Sequence, residues 1–234
     1  MKICLYGIPG TVPGRTNLKD PRLDAAHQLV EADKKAYAQV DVVGDDGLID
    51  ADGIAATESS ALDLVLQDLE FVETRLSRNP PEAEKAVLQK LQAHLEAGRC
   101  LSAAGLAEAD WKTVDGHSLI TSKPVFVATA DLLARPDALL LQAFAHAGWI
   151  CFLTVGGKEN RAWPVRKGIS VWEAGGAIHT DIQKGFIRAE IIGYADFIAA
   201  GGETQAKRAN KLRLEMKQYV MQDYDLVNFR FNKS

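Results

Sequence analysis

The last third of the chain, residues 149–232, most constrains the fold, because apolar and alternating segments are separated there by glycines. Residues 150–155 form an apolar run that ends at a Gly-Gly pair, and residues 161–166 alternate in polarity. This pattern predicts two strands joined by a short turn. A helix is expected between Ser170 and Gln183. Three further strands are predicted at residues 186–192, 218–222 and 226–231. Five strands and one helix in this order are typical of a compact β-grasp module.

Four ungapped motifs occur in this segment in a fixed order. They are Gly176-Ala-Ile-His-Thr-Asp181, Lys184-Gly-Phe-Ile-Arg-Ala-Glu190, Tyr194-Ala-Asp-Phe-Ile198 and Arg213-Leu-Glu215. Together they closely resemble the C-terminal TGS domain of the YchF proteins, the Obg-like ATPases. The resemblance covers this whole third of the chain. It implies a cytoplasmic, translation-associated protein whose TGS domain contacts RNA, a ribosome or a translation factor.

Charge is divided unequally along the chain. Residues 149–234 carry 13 Lys+Arg against 9 Asp+Glu, a net charge of +4. Because the whole chain carries a net charge of −4, the rest of the chain must carry −8. A basic module suggests an anionic partner, although a solvated surface with a chance imbalance is an equal alternative. The candidate RNA- or anion-binding residues are Lys158, Lys167, Lys184, Arg188, Arg161 and Arg166. Alternation along a strand places Arg161 and Arg166 on opposite faces unless a bulge intervenes.

The beginning of the chain has the outline of a phosphate-binding loop. A short apolar strand, residues 2–6, enters a glycine-rich loop, where YchF proteins have their P-loop. That chemistry requires a loop of backbone N–H groups, then Lys and Ser or Thr, then a helix whose N-terminus faces the phosphates. Here Arg15 replaces the Lys, whereas Thr16 retains a hydroxyl for Mg²⁺. The candidate nucleotide-binding residues are Gly7, Gly10, Gly14, Arg15, Thr16 and Asp131.

The loop departs from that pattern in ways that oppose nucleotide binding. Six residues separate Gly7 from Gly14 where the P-loop has four, and Pro9 and Pro13 each remove an N–H donor. The following helix is limited to one turn, because Pro21 restricts the residue before it. The motif Asp20-Pro-Arg-Leu-Asp24 resembles one that lies well downstream of the P-loop helix in YchF proteins. The resemblance therefore implies that the helix and the segment after it have been deleted.

Two more nucleotide signatures are altered. In the alignment of Val43-Gly-Asp-Asp-Gly-Leu-Ile49 with the family's Val-Asp-Ile-Ala-Gly-Leu-Val, the Mg²⁺-side Asp has become Gly44. The family's base-reading Asn-Val-Asp-Glu is replaced by Thr129-Ala-Asp-Leu132, which keeps only Asp131. Three altered signatures together predict a relic scaffold with no catalytic residue, no metal and no cofactor. The alternative is a residual NTPase that binds ATP or GTP with Mg²⁺.

Between these signatures, two helices are predicted at residues 61–78 and 82–97, because leucines and valines recur there at spacings of three and four. Their short connection favours an antiparallel hairpin, and the first helix resembles the start of the YchF coiled-coil insertion. Further strands are expected at residues 35–43 and 121–131, with helices at 23–29 and 132–146.

We therefore expect an α+β, multidomain protein with a reduced α/β P-loop-like remnant, an antiparallel helical hairpin and a C-terminal β-grasp TGS domain. The predicted domains are residues 1–60 with 118–148 for the remnant, 61–117 for the hairpin, and 149–234 for the TGS-like domain. About three strands in the remnant would leave one face of the sheet bare, to be covered by the hairpin, the TGS module or a second copy of the chain, which would make a homodimer.

Three scattered cysteines imply no disulfide framework, and no run is long enough to span a membrane, so the cytoplasm is the expected location. Within the TGS-like segment, Met216 and Tyr224 stand where the family has glycine. Tyr224 occupies a tight turn in which glycine often supplies a positive φ.

Overall fold

The structure is a computed structural model that describes residues 1–232, and it has a mixed α/β architecture. Within that range, the strands are β1 (Lys2–Tyr6), β2 (Gly14–Asn17), β3 (Lys34–Ala36), β4 (Gln39–Val43), β5 (Gly53–Ala56), β6 (Val125–Val127), β7 (Trp149–Thr154), β8 (Glu159–Arg166), β9 (Phe186–Ile192), β10 (Arg213–Glu215) and β11 (Leu226–Phe231). The helices are α1 (Pro21–Leu29), α2 (Glu58–Ser77), α3 (Glu82–Glu96), α4 (Glu108–Val114), α5 (Ala130–Leu133), α6 (Pro136–His146), α7 (Val171–Ile178), α8 (Thr180–Lys184), α9 (Tyr194–Ala200) and α10 (Glu203–Arg208). None of these helices is both long and apolar enough to cross a membrane.

The chain divides into two compact units. The N-terminal unit contains residues 1–16 and 40–147, and the C-terminal unit contains residues 17–39 and everything after Ala147. Residues 17–39, which the sequence assigned to the nucleotide-fold remnant, therefore pack with the C-terminal segment. The division into three domains stays a prediction, as does the homodimer.

The N-terminal unit is built on a five-stranded sheet in the order β2-β4-β1-β5-β6. β1 runs parallel to β4 and β5, and β5 runs parallel to β6. The sequence predicted about three strands and missed β2 and β5. β5 is fully buried, and a Cβ on Gly53 would lie 2.7 Å from the Cβ of Ala147, so glycine is required for this close approach. Its run of small residues carries too little hydrophobic pattern to be recognised in advance.

Helices α2 and α3 pack on each other, as the predicted hairpin requires. Thr57 caps the start of α2 by accepting a hydrogen bond from the Ser60 N–H. The apolar cluster that the two helices share includes Val65, Val72, Leu88, Leu91 and Leu95. At the connection, Arg75 donates two hydrogen bonds to Glu84, at 2.6 and 2.9 Å. The likeness of α2 to a coiled-coil insertion stays a prediction.

The C-terminal unit is built on a six-stranded sheet in the order β10-β9-β11-β7-β8-β3. β7 and β8 form the predicted antiparallel pair, and β9 pairs antiparallel with β11. β11 and β7 are parallel.

The predicted strand at residues 218–222 is wrong. Tyr219 and Met221 alternate toward the core and imitate a strand, but this segment forms only a single bridge, between Val220 and Ser170. The edge of the sheet next to β9 is formed instead by β10.

Three other predicted elements are divided in the structure. The helix expected at residues 132–146 splits into α5 and α6 before Pro136. The strand expected at residues 35–43 splits into β3, which joins the C-terminal sheet, and β4, which joins the N-terminal one. The helix expected between Ser170 and Gln183 splits into α7 and α8 at His179. The backbone of His179 is extended, and its Nδ1 accepts a hydrogen bond from the Asp181 N–H at 3.1 Å. His179 therefore caps the start of α8.

Residues 17–39 are held against the rest of the C-terminal unit by a polar and aromatic cluster centred on Arg22. Its guanidinium donates to Asp20 at 2.7 Å and to Asp223 at 2.6 Å, and lies 3.7 Å from the centre of the Tyr224 ring. Tyr224 is buried with φ +63°, and its ring meets Tyr194 edge-on. Tyr224 therefore adopts the positive φ that glycine often supplies at such a turn. We call these five residues the Arg22 clamp.

We expect Arg22→Ala to destabilise the C-terminal unit by about 2–3 kcal/mol, because it leaves the buried carboxylate of Asp20 without its cation; the partial exposure of Arg22 lowers the usual cost of breaking such a pair. The measurement is the urea midpoint followed by tryptophan fluorescence. Arg15→Ala is the matched control, since it breaks an exposed Arg–Asp pair and should cost less than about 1 kcal/mol. Equal midpoint shifts for the two variants would contradict a structural role for the clamp.

Candidate functional site

The carboxyl ends of the parallel strands β1, β4, β5 and β6 meet at one edge of the N-terminal sheet. In open α/β sheets ligands bind at this edge, in loops that follow the strands. The loop after β1 contains Gly7 and Gly10, both with positive φ. The structure therefore places the loop after β1 at the edge where open α/β sheets bind ligands.

The second half of the loop does not lead into a helix. Gly14, Arg15 and Thr16 lie in β2, an extended edge strand, and Arg15 Nε is 3.3 Å from Asp41 Oδ1. A phosphate site of the P-loop type depends on the aligned N–H groups and dipole of a helix N-terminus. Neither the guanidinium of Arg15 nor the hydroxyl of Thr16 is presented from a helix here.

An internal carboxylate occupies the first backbone donor of the loop. The Gly7 N–H donates to Asp45 Oδ1 at 3.0 Å, and Asp45 begins a short 3₁₀ turn at Asp45–Gly47. That turn is held from its other side by Lys123, whose ammonium donates to the carbonyl oxygens of Leu48 and Ile49. Burial lowers the pKa of Lys123. The segment that carries the Mg²⁺-side Asp in the family therefore contributes an anion at the loop.

The remaining nucleotide candidate, Asp131, lies exposed in α5 and forms an ion pair with Arg135. The six candidates are thus spread over the loop after β1, the edge strand β2 and helix α5. No group of three or more His, Cys, Asp or Glu side chains is placed to hold a metal ion in the described part of the chain.

An open groove of about 690 Å³ also lies at this edge, and sequence analysis did not predict it. It runs between the first turns of α2 and the segment that joins β6 to α5. Its lining includes Thr57, Leu62, Val127, Thr129 and Leu133, and no lysine or arginine contributes to it. A groove without cations is poorly suited to phosphate groups.

In the C-terminal unit, the six basic candidates do not form one cluster. Lys158 lies in the turn before β8 and Lys167 lies just after it, so this eight-residue strand separates them by about 25 Å. Arg161 stacks on Trp163 at 4.3 Å, and Arg166 stacks on Trp149 at 4.4 Å.

The register between β7 and β8 is unbroken from Trp149 to Thr154. Arg161 and Arg166 therefore project from opposite faces of the sheet, as alternation predicts.

Two of the candidates do lie close together in the fold. Lys184 ends α8 one residue before β9, and Arg188 lies within β9 opposite Arg230 of β11. Neither Lys184 nor Arg188 forms an ion pair within residues 1–232. Trp172, which is 37% exposed, donates from its indole N–H to the carbonyl of Gln183 at 2.9 Å. Alternation along β9 and β11 points Arg188 and Arg230 away from Phe229, whose ring packs against α7, so Trp172 of α7 lies on the other side of the sheet and neighbours only Lys184. We call Lys184, Arg188 and Arg230 the basic patch.

Sequence analysis did not select Arg230, which lies outside the recognised motifs. Arg230 binds both carboxylate oxygens of Glu190 at 2.9 Å, and these hydrogen bonds lower the pKa of Glu190. Only part of the charge of Arg230 is thus available to a ligand, and Lys184 and Arg188 are the stronger anion-binding candidates.

Comparison with known proteins identifies the family. Residues 149–232 match the family YchF-GTPase_C, described as a protein of unknown function (DUF933). The Ribosome-binding ATPase YchF of Bacillus subtilis (strain 168) is 30% identical over 246 aligned positions, which cover 77% of this chain and 67% of that protein. The chain belongs to the YchF family.

The strongest similarity to YchF relatives lies in a short segment. The Ribosome-binding ATPase YchF of Haemophilus influenzae is 54% identical over 81 residues, 35% of this chain and 22% of that protein. The solved structure of the Schizosaccharomyces pombe YchF GTPase superposes with a TM-score of 0.73, covering 98% of this chain and 97% of that one at 16% identity, which shows a common fold. This YchF chain spans about two thirds of the Bacillus protein and about a fifth of the Haemophilus one.

The geometry around Gly7 predicts that this glycine is required for packing rather than for phosphate binding. A Cβ there would lie 2.2 Å from Ser60 Oγ, whereas nothing lies within 4 Å of one on Gly10, although both residues have positive φ. We expect Gly7→Ala to cost about 2–4 kcal/mol, the sum of left-handed strain and overlap, and Gly10→Ala about 1–2 kcal/mol from strain alone.

Thermal or urea unfolding measures the difference, and Ser60→Ala in the Gly7→Ala background should recover part of the loss because it removes the overlapping oxygen. Equal costs at Gly7 and Gly10, with no recovery, would show that the contact with Ser60 does not determine the choice of glycine.

Proposed function

We propose that this YchF-family chain is a non-catalytic binding protein, and that its C-terminal unit is a TGS-type β-grasp module that contacts ribosomal RNA. The observation that carries the proposal is the extended conformation of Gly14–Asn17, which lies where an NTPase of this family requires a helix. The proposal places the protein with ribosomes in the cytoplasm.

Electrostatics at the loop after β1 supports the absence of NTPase activity. A nucleoside triphosphate is strongly anionic, and its binding needs several hydrogen-bond donors and a cation at short range. The Gly7 N–H is already hydrogen-bonded to Asp45, and Pro9 and Pro13 have no N–H to offer. A triphosphate would displace Asp45 from its donor and then lie beside that carboxylate, which repels it.

The basic patch supports RNA as the ligand of the C-terminal unit. Lys184 and Arg188 offer unpaired cations to phosphates, and the exposed Trp172 offers a face on which a base can stack. Relatives of 30% and 54% identity are named ribosome-binding ATPases. Residues 149–232, which match the family model, include the basic patch, so ribosome contact is the part of the relatives' named activity that this chain is best suited to retain.

The second candidate function is residual ATP or GTP hydrolysis with Mg²⁺. It is favoured by the position of the loop after β1 at the carboxyl edge of the parallel sheet, and by the survival of Thr16 and Asp131. In that function Arg15 and Thr16 would replace the P-loop Lys and Ser or Thr.

Titration with a fluorescent ATP analogue and Mg²⁺ separates the two functions. We expect no saturable binding up to about millimolar concentration, because the loop lacks a cradle of donors for the phosphates. Micromolar binding that is lost in Arg15→Ala and in Thr16→Ala would overturn the non-catalytic proposal in favour of the NTPase. The same titration with a GTP analogue tests whether the chain binds a guanine nucleotide instead.

Binding of labelled single-stranded RNA or purified ribosomes tests the basic patch. Lys184→Ala combined with Arg188→Ala should weaken binding and reduce the slope of log K against log salt by about 1–2, since each phosphate contact contributes about 0.7–0.9. Trp172→Ala should weaken binding with no change in that slope, because stacking involves no counterion release.

Lys158→Ala combined with Lys167→Ala is the matched control, because it removes the same charge at the two ends of β8. Equal losses in the two double variants would indicate a general electrostatic effect instead of a defined patch. Binding that is indifferent to salt and to all of these substitutions would contradict RNA contact.

A further inference from the structure

Helix α2 has a second apolar surface that its own core does not use. Leu64, Val65 and Val72 are buried, whereas Leu62 and Leu66 are 48% and 52% exposed. The two exposed leucines are four residues apart, so they lie side by side on the outer face of the helix.

The leucine pair continues into the groove at the carboxyl edge of the N-terminal sheet. Leu62 lines that groove together with Val127 and Leu133. Val127 belongs to β6, the edge strand of the sheet, and is 45% exposed. We call Leu62, Leu66, Val127 and Leu133 the α2 groove.

Carboxylates border the α2 groove without cations to neutralise them. Glu58, Asp63, Glu70 and Glu73 are exposed on α2, and helical periodicity places them around the leucine pair. None of the four forms an ion pair within the described residues. The N-terminal unit as a whole carries 10 Lys+Arg against 18 Asp+Glu, a net charge of −8.

The charge around the α2 groove indicates which kind of partner it can bind. An apolar strip with an acidic border repels RNA and anionic lipid surfaces, and attracts a surface that joins leucine-like side chains to lysine or arginine. A helix that presents apolar residues at i, i+3 or i+4 and i+7 fits an open groove beside another helix. We propose that the α2 groove binds a cationic amphipathic helix of a partner protein.

This surface is separate from the RNA-binding function proposed above. The α2 groove belongs to the N-terminal unit and the basic patch to the C-terminal unit, and their ligands have opposite charge. Loss of peptide binding with retained RNA binding, or the reverse, therefore distinguishes the two proposals.

The probe is a fluorescent peptide of about 18 residues, long enough to form a helix on binding, with leucines along one face and lysines elsewhere. Fluorescence anisotropy with the full chain should show saturable binding that weakens as salt is added. Two companion peptides control for each component: one has glutamate in place of lysine, and the other has serine in place of leucine. Both should bind at least about tenfold more weakly.

Leu62→Ser combined with Leu66→Ser should weaken the lysine–leucine peptide about tenfold or more, because it removes the exposed apolar contacts. Leu214→Ser combined with Met216→Ser is the matched control; it alters two apolar residues of similar exposure in the C-terminal unit and should leave binding unchanged. Glu70→Lys combined with Glu73→Lys gives a second readout at exposed positions, where folding is not at risk, and should also weaken binding.

Several results would overturn the proposal. These are no saturable binding of the lysine–leucine peptide, equal binding of either companion peptide, or equal losses in the two leucine-type double variants. Sedimentation provides the last test: a dimer that dissociates in Leu62→Ser/Leu66→Ser would show that a second copy of the chain, rather than a cationic helix, covers the groove.

Discussion

The Arg22 clamp limits the conformations that residues 17–39 can adopt. Its guanidinium joins Asp20 in the N-terminal part of the chain to Asp223 near the C-terminus, over the ring of Tyr224. A residue pair separated by about two hundred positions is costly to bring together, so the contact must be supported by burial and several hydrogen bonds. Because residues 17–39 are held in this way, the segment after β2 is not available to form a helix over the phosphate loop.

The extended conformation of Gly14–Asn17 bears on the local structure around Gly7, because no helix follows the loop after β1 directly. A helix N-terminus would neutralise an anion at the loop, and without it the Gly7 N–H still needs an acceptor. Asp45 supplies one from within the chain at 3.0 Å. The acidic turn is thus stabilised by the same donor that a phosphate would have used. A nucleotide at this loop would have to compete with Asp45 for the Gly7 N–H.

Sequence pattern predicted the elements whose signal is local. β7, β9 and β11 follow from apolar runs and alternation, and α2 and α3 from stripes at spacings of three and four. Of the candidate site, it found Lys184 and Arg188 through a motif, but not Arg230, whose relevance depends on lying opposite Arg188 across two strands.

The elements that were missed, or wrongly joined to a neighbouring strand, are short strands defined by distant partners. β2 (Gly14–Asn17) and β3 (Lys34–Ala36) contain almost no apolar residue, so they have no periodicity to detect. β3 exists because β8, more than a hundred residues away, offers it an edge. The false strand at residues 218–222 shows the opposite error, since its alternating burial comes from packing rather than from a ladder. The α2 groove was missed because an exposed Leu62 cannot be told from a buried one by spacing alone.

Tyr224 shows how the clamp and the turn depend on each other. A tyrosine with φ +63° is strained by about 1–2 kcal/mol relative to glycine, which the family has at this position. Burial of the whole ring, which is 2% exposed, contributes about 3–5 kcal/mol, and the stacked guanidinium adds to it. Because the contribution from burial exceeds the strain of the positive φ, tyrosine is the more stable residue here only while Arg22 and Tyr194 cover its ring.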